Sequence, residues 1–370
     1  MNKGSIKTIR VKGLLMAIFI IAAASSMATA ADASGYPRTI VDDAGREITI
    51  KMPVEKIIPL DSGVAKMLYL LGADDKIIAV GDDVKSRSGY LPNVKEKQSV
   101  GKWSEWDYEL IGELAKEGAE TPPNLIVLCS VNGMDPVRDI APGLEGFSNI
   151  SVVGLDAYKM ENVTQDLEKL GVVLDKESEV KQNIDWYNEK IAQVESAVRG
   201  RSKTKVYNEF IASKGTGDLS TYGTSSSVNK LIEIANGFNV NQDTKVYSKV
   251  SWEWVITQNP EVVFKSGSVD AYGWAKGPSQ DTVGLEKTVN EILSRPGADT
   301  LDAAKNNRIY IIWSSLLSGF DNIVGAAYLA KMFHPEIDLD PNEISQEYMS
   351  RLGLDAPNDR ILVYPEIRSK

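Results

Sequence analysis

One helix limits what this chain can become. Residues 175–200 read DKESEVKQNIDWYNEKIAQVESAVRG, in which Val180, Ile184, Tyr187, Ile191, Val194 and Val198 recur at steps of three and four. That spacing puts the six on one face of an α-helix. Lys176, Glu177, Lys181, Asp185, Lys190 and Glu195 fall largely on the other faces, and Gly200 supplies a stop. At 1.5 Å per residue such a helix is roughly 36 Å long, the span of a small domain. It is the longest unbroken helical pattern in the chain, and it divides two blocks of similar size. The pattern predicts a strut between two lobes, with function in the cleft between them.

Both blocks alternate short apolar runs with helical patterns, which indicates mainly parallel pairing. Strands are expected at 56–60, 124–128, 205–211, 261–264 and 308–312, and a hairpin at 39–50 around Asp43-Ala44-Gly45. A helix is expected over 64–71, with Ser62 as N-cap and Gly72 as stop; residues 81–92 read as a loop. The expected fold is α/β: two Rossmann-like lobes with mainly parallel sheets bridged by one long α-helix. Its parts are a first lobe over 38–158, a helical linker over 160–200 and a second lobe over 204–368. The two blocks also echo each other. Glu109-Leu-Ile leads to Pro123 and the run LIVL; Glu253-Trp-Val leads to Pro260 and the run VVF. Each Pro stops a helix and launches a strand.

The first thirty residues differ from the rest. Lys3, Lys7, Arg10 and Lys12 precede an apolar run over 14–24 and the small-residue site Ala28-Thr29-Ala30, the order of a secretory signal peptide. The apolar run is short for a membrane span, which needs about 20 residues, although an uncleaved anchor is the alternative. Without residues 1–30 the 41 Lys and Arg fall by four to 37 against 51 Asp and Glu, a net charge of −14. So acidic a chain is a poor partner for nucleic acid or an anionic membrane. Cys129 is the only cysteine, so no internal disulfide forms, and none follows the apolar run to carry a lipid.

Catalytic chemistry has little to draw on. The single histidine, His334, followed by Pro335 in the closing helical region, reads as structural, and a multi-histidine metal site inside the chain is ruled out. No P-loop, dinucleotide fingerprint or nucleophile elbow is present. No catalytic residue, metal ligand set or cofactor is therefore expected. The segments at predicted strand ends, where α/β sheets bind ligands, are rich in aromatics and hydroxyls instead. They supply Arg87, Trp103, Trp106, Ser130, Tyr222, Trp274, Trp313 and Ser314 as candidate ligand contacts. Such walls suit a bulky, partly apolar or planar ligand, with Arg87 placed to meet negative charge.

Taken together the segments resemble the solute-binding proteins of iron-complex, haem and cobalamin ABC importers. The resemblance rests on TIVDDAGREITI, PVEKIIPLDSGVAKMLYLLGADDKIIAVGDD, YELIGELAKEGAETPPNLIVL, SSVNKLIEIANGFNV, VSWEWVITQNPEVVF, NNRIYII and YLAKMFHPEIDLD. Their order and spacing carry it, over nearly all of the chain after the leader. It implies two α/β lobes on one long helix. It implies a monomeric receptor, at the periplasm or the outer membrane face, that hands an iron complex (siderophore) or a corrinoid to an ABC permease dimer with a cytoplasmic ATPase. A molybdate or tungstate oxyanion is the alternative cargo, and an exported enzyme or an adhesion protein on the same scaffold the competing class. The resemblance also implies that Glu109 and Glu253 dock on basic residues of the permease. The chain departs from the haem-binding members in having no histidine for the pocket.

Overall fold

The computed structural model of the chain describes residues 35–103, 105–116, 124–132, 136–210, 212–267, 282–354 and 361–367; the expected leader at 1–30 lies outside them. The chain enters through the hairpin Arg38–Val41 and Glu47–Ile50. Its turn is bound tightly. Asp42, 3% exposed, accepts the amides of Ala44 and Arg46 at 3.0 and 2.9 Å and pairs with Arg46 at 2.6 Å. Asp42 also accepts the Gly154 amide at 3.1 Å, and the Arg46 guanidinium donates to the Val152 carbonyl at 2.7 Å. The sequence DDAGR is thus a staple to the end of a core strand.

That core strand, Ile150–Gly154, is the third of a parallel sheet ordered Val54–Pro59, Asn124–Cys129, Ile150–Gly154. The middle strand is the uninterrupted apolar run NLIVLC, and Leu125 to Cys129 are all buried, as a strand covered on both faces requires. The helix after the first strand spans Ser62–Leu70 and ends at Gly72, which has φ +59°. Its N-cap is Asp61, not Ser62: the Asp61 carboxylate accepts the Gly63 and Val64 amides at 2.8 and 3.2 Å. A charged acceptor at the positive helix end outcompetes the neighbouring hydroxyl. The expected loop at 81–92 contains a further helix, Asp82–Ser88.

The second sheet is ordered Gly237–Asn239, Thr204–Glu209, Val262–Gly267, Ile309–Trp313, Val363–Tyr364. Every pairing is parallel except the last, an antiparallel edge. The α/β class with mainly parallel sheets is therefore as expected.

Between the sheets runs the helix Glu177–Val198, 22 residues long. Val180, Tyr187, Val194 and Val198 are buried, and Ile184 and Ile191 pack half-buried beside them. The covered arc is wider than the apolar stripe. Trp186 stacks on Tyr348 with ring centroids 6.1 Å apart, and its indole N–H donates to Glu347 at 2.7 Å. Lys190, expected on an outer face, is only 8% exposed and pairs with Glu347 at 2.8 Å. Its alkyl stem covers apolar surface while the charge finds a partner.

A buried polar group lies within the core that the two blocks share. Lys66, on the first helix, forms an ion pair with Asp321 of the second block, and both are almost fully buried. Tyr348 donates its hydroxyl to the same Asp321 at 2.6 Å. Next to it, Tyr187 of the strut donates to Asn322 at 2.6 Å, and the Gly319 amide donates to the Tyr158 carbonyl at 3.0 Å.

Candidate ligand-binding cleft

The carboxyl ends of both parallel sheets are where an open α/β sheet binds ligand. Three rings gather by these ends of the second sheet. Phe210 follows the strand Thr204–Glu209, and Tyr222 closes Leu219–Tyr222, a two-stranded ribbon with Tyr247–Val250. Tyr222 and Tyr247 are cross-strand partners. The three centroids lie 5.0 to 5.8 Å apart with tilted or edge-on planes, the arrangement aromatic quadrupoles favour. Tyr247 stays 51% exposed. Burial raises the pKa of the Tyr222 and Tyr247 phenols; Tyr222 also exchanges hydrogen bonds with Ser266 and Tyr247. Both rings are neutral acceptor–donor surfaces at physiological pH. Tyr158, from the first block, lies close enough to Tyr247 for its own phenol to feel it.

Four buried asparagines fix Tyr222. Asn208 accepts the Tyr222 amide at 2.7 Å and the Thr221 hydroxyl at 3.2 Å. The Tyr222 carbonyl accepts from Asn239 at 2.9 Å and from Asn241 at 3.2 Å. Asn229 in turn accepts from Asn239 at 3.1 Å. All four asparagines are under 5% exposed. Buried amides without partners are costly, so the ladder holds only with the ribbon strand in this position.

Beneath Phe210 lies a buried charge cluster. Glu209 pairs with Lys265 at 2.7 Å and Arg295 at 2.6 Å, and Arg295 also pairs with Glu291 at 2.9 Å. Lys265 additionally donates to the Ser213 carbonyl, and Glu291 accepts the Gly215 amide at 3.0 Å. The Arg295 guanidinium lies 4.9 Å from the Trp252 ring. Two carboxylates against two cations leave no net charge, and the cluster ties the segment after Phe210 to the sheet.

The candidates named from sequence lie on several different elements. Trp313 ends its strand fully buried and meets Tyr90 of the first block edge-on, centroids 6.1 Å apart. Ser314 follows, half-buried, at the start of a 3-10 turn. Arg87 lies on the helix Asp82–Ser88, paired with Asp83 at 2.6 Å. Burial and the nearby Asp61 raise the Asp83 pKa against the pull of Arg87. Trp103 stands 58% exposed at a tight turn, whereas Trp106 is half-buried against the core of the first sheet. Ser130 is buried where Asn124–Cys129 ends, its carbonyl accepting the Val137 amide at 2.8 Å. Trp274 lies outside the described residues. Sequence alone does not single out Phe210, Tyr247, Tyr158 or the asparagines; of this group only Tyr222, within TYG at 221–223, is legible there.

Glu109 and Glu253 occupy equivalent places. Each is exposed, in the first turn of the helix that leads to a central strand. Each lies two residues after a side chain that caps the helix: Asp107 accepts the Leu110 amide at 2.9 Å, and Ser251 that of Trp254 at 3.2 Å. The Glu253 carboxyl is held below its ordinary pKa by its own backbone amide and by Ser251.

The sequence profile described as "Periplasmic binding protein" matches residues 57–316, over two thirds of the chain. The chain belongs to the periplasmic binding protein family. Among similar proteins, an uncharacterized ABC transporter substrate-binding lipoprotein of Bacillus subtilis, YvrC, is 22% identical across 87% of this chain and 96% of its own. The petrobactin-binding protein YclQ of the same organism is 24% identical across 70% of this chain and 75% of its own. The TroA-like periplasmic binding protein FepB from Veillonella parvula superposes with a TM-score of 0.70 at 21% identity, covering 88% of this chain and 99% of that one. The architecture of this family member is therefore that of TroA-like, two-lobed binding proteins.

Proposed function

We propose that the chain is the extracytoplasmic receptor of an ABC importer that captures a metal complex, a ferric siderophore or a corrinoid, between its lobes. The lobes are residues 38–158 and 204–368 on the linker 160–200, and residues 1–30 direct export. The observation that carries this reading is the aromatic wall Phe210–Tyr222–Tyr247, which joins the end of a second-sheet strand to the neighbouring ribbon, with Tyr158 of the first block close to Tyr247. Broad neutral rings with a few hydroxyls complement a large, partly apolar ligand. Membership of a binding-protein family, with a petrobactin-binding relative, supports the same reading.

Fluorescence titration against a ferric siderophore, a corrinoid, haem and molybdate tests it. Binding to one of the first two, weakened by about 1–3 kcal/mol in Tyr222→Ala, is expected. Molybdate as the only ligand would replace this reading with the oxyanion alternative. Trp103→Ala and Trp274→Ala extend the test to two further proposed rings: unchanged affinity in both removes them from the wall. Glu109 and Glu253 are proposed as the permease contacts, since two equivalent charges on two similar lobes suit a two-fold partner.

A further inference from the structure

A second recess lies at the opposite end of the second block from the cleft, where the strands Thr204–Glu209, Val262–Gly267 and Ile309–Trp313 begin. It is a shallow, open recess of about 560 Å³ lined by Arg201, Lys203, Glu261, Arg308, His334 and Glu336 among others. The adjoining sequence RGRSKTK places Arg199, Arg201, Lys203 and Lys205 at every second position, a basic run in a chain of net charge −10. Most of these cations have structural work. Arg201 pairs with Glu336. Lys205 donates to the Gln258 carbonyl at 2.7 Å. Arg308 donates to the carbonyls of Met332 and Phe333 at 2.8 and 2.7 Å, which neutralises the negative end of the helix Asn322–Phe333. Glu261 accepts the Lys205 amide at 2.8 Å.

Lys203 has no such employment: it is exposed at the rim, with no ion-pair partner among the described residues. Inside the recess His334, 5% exposed, has its ring nitrogen 3.4 Å from the Asn236 carbonyl. Its pKa is lowered by burial first, with Arg201 and Arg308 adding to the fall against Asn236 and Glu336. Arg201, Lys203 and Arg308 bring three positive charges to the recess against the two negative charges of Glu261 and Glu336, and with His334 neutral that balance favours a small anion over a cation.

We propose that this recess binds a phosphate-type oxyanion, with Lys203 as its free cationic arm and Arg201, already paired with Glu336, beside it. The phosphate belongs either to a free ion or to a lipid headgroup. The site is separate from the ligand cleft and stands whichever cargo the cleft carries.

The single histidine makes the test direct, because the full chain shows one imidazole Cε1–H resonance in a ¹³C-resolved spectrum. Inorganic phosphate is titrated at constant ionic strength, with chloride as control. The expected result is a saturating shift of the His334 signal that chloride does not reproduce. Lys203→Glu, on an exposed side chain, is expected to weaken it about tenfold, and Lys203→Arg to retain it. A shift equal in phosphate and chloride, or unchanged in Lys203→Glu, overturns the proposal. Sedimentation with phosphatidylglycerol and phosphatidylcholine vesicles separates the sources. Retention on the anionic vesicles that Lys203→Glu loses assigns the phosphate to a headgroup; phosphate binding without retention assigns it to a free ion.

Discussion

Tyr222 shows how far a binding residue depends on groups that never touch ligand. Its amide and carbonyl are held by Asn208, Asn239 and Asn241, so the ring's position is set from inside the lobe. Asn239→Ala would leave the Tyr222 carbonyl and the Asn229 side chain short of donors. A loss of about 1–3 kcal/mol in urea unfolding is expected, with weaker ligand binding although the ring remains; an unchanged affinity would show that the ladder only stabilises. Asp166 presents a different single-residue case. It is fully buried, one carboxyl oxygen has no partner among the described residues, and its pKa rises to about 7. Burial is the main cause and Asp43 the next, while Lys169, bound to both carboxylates, opposes them. The folded pKa lies above the ordinary value of 3.8, so the folded chain keeps a proton that the unfolded chain has lost. Stability is therefore expected to fall as pH rises from about 4 to 7 and then to level. Asp166→Asn cannot titrate, and should gain on the parent by about 1–3 kcal/mol between pH 5 and pH 8 in denaturant unfolding. A gap that does not move with pH would contradict the buried ionisation.

At the scale of elements, the strut is held by close packing against the helix before it. A Cβ built on Gly171, in the helix Val163–Leu174, would lie 2.3 Å from the Val180 side chain. In an open helix Gly→Ala stabilises by up to about 1 kcal/mol. Here the methyl group must push two helices apart, and Gly171→Ala is expected to destabilise by about 1–3 kcal/mol instead. The sign alone decides, and a thermal or urea melt reads it. The equivalence of Glu109 and Glu253 also belongs to this scale, because it comes from two capped helices built alike. The bland role of each carboxylate is to complement a helix N-terminus. If they dock on the permease, the double change to Gln leaves ligand affinity intact and lowers uptake; normal transport would leave only the helix-end role.

For the whole molecule, the joint determines how the lobes can move. Lys66, Asp321 and Tyr348 form a buried group that no lobe rotation about that point needs to break, whereas a wide opening would separate the ion pair. Leaving a buried charge unpaired costs about 3–5 kcal/mol. Ligand is therefore expected to produce little change in radius of gyration by solution scattering, and a large fall would contradict a fixed joint. Asp321→Asn, which leaves Lys66 buried without its counter-charge, is expected to lose about 3 kcal/mol of stability or more in the same unfolding assay.

The strut, the alternation of strands and helices and the glutamate echo were all readable from sequence. Each is a local pattern: a 3.6-residue period over 175–200 against an observed Glu177–Val198, apolar runs bounded by turn residues, a Pro before each central strand. Backbone geometry converts such periods directly into faces of helices and sheets. The helix Asp82–Ser88 escaped because only Val84 and Ser88 on it are buried, too few to make a period. The rest was a matter of tertiary partners. Asp61 and Ser62 are both acceptable caps, and only the position of the first helical residue chose between them. Lys66 and Asp321 are 255 residues apart, and nothing in either neighbourhood selects the other among 41 basic and 51 acidic side chains. The wall around Tyr222 joins the end of one strand to both strands of a ribbon, so Phe210 and Tyr247 became its neighbours only when the chain had folded. Local periodicity is fixed by bond geometry, but partnership across the chain is fixed by which surfaces the whole core brings together.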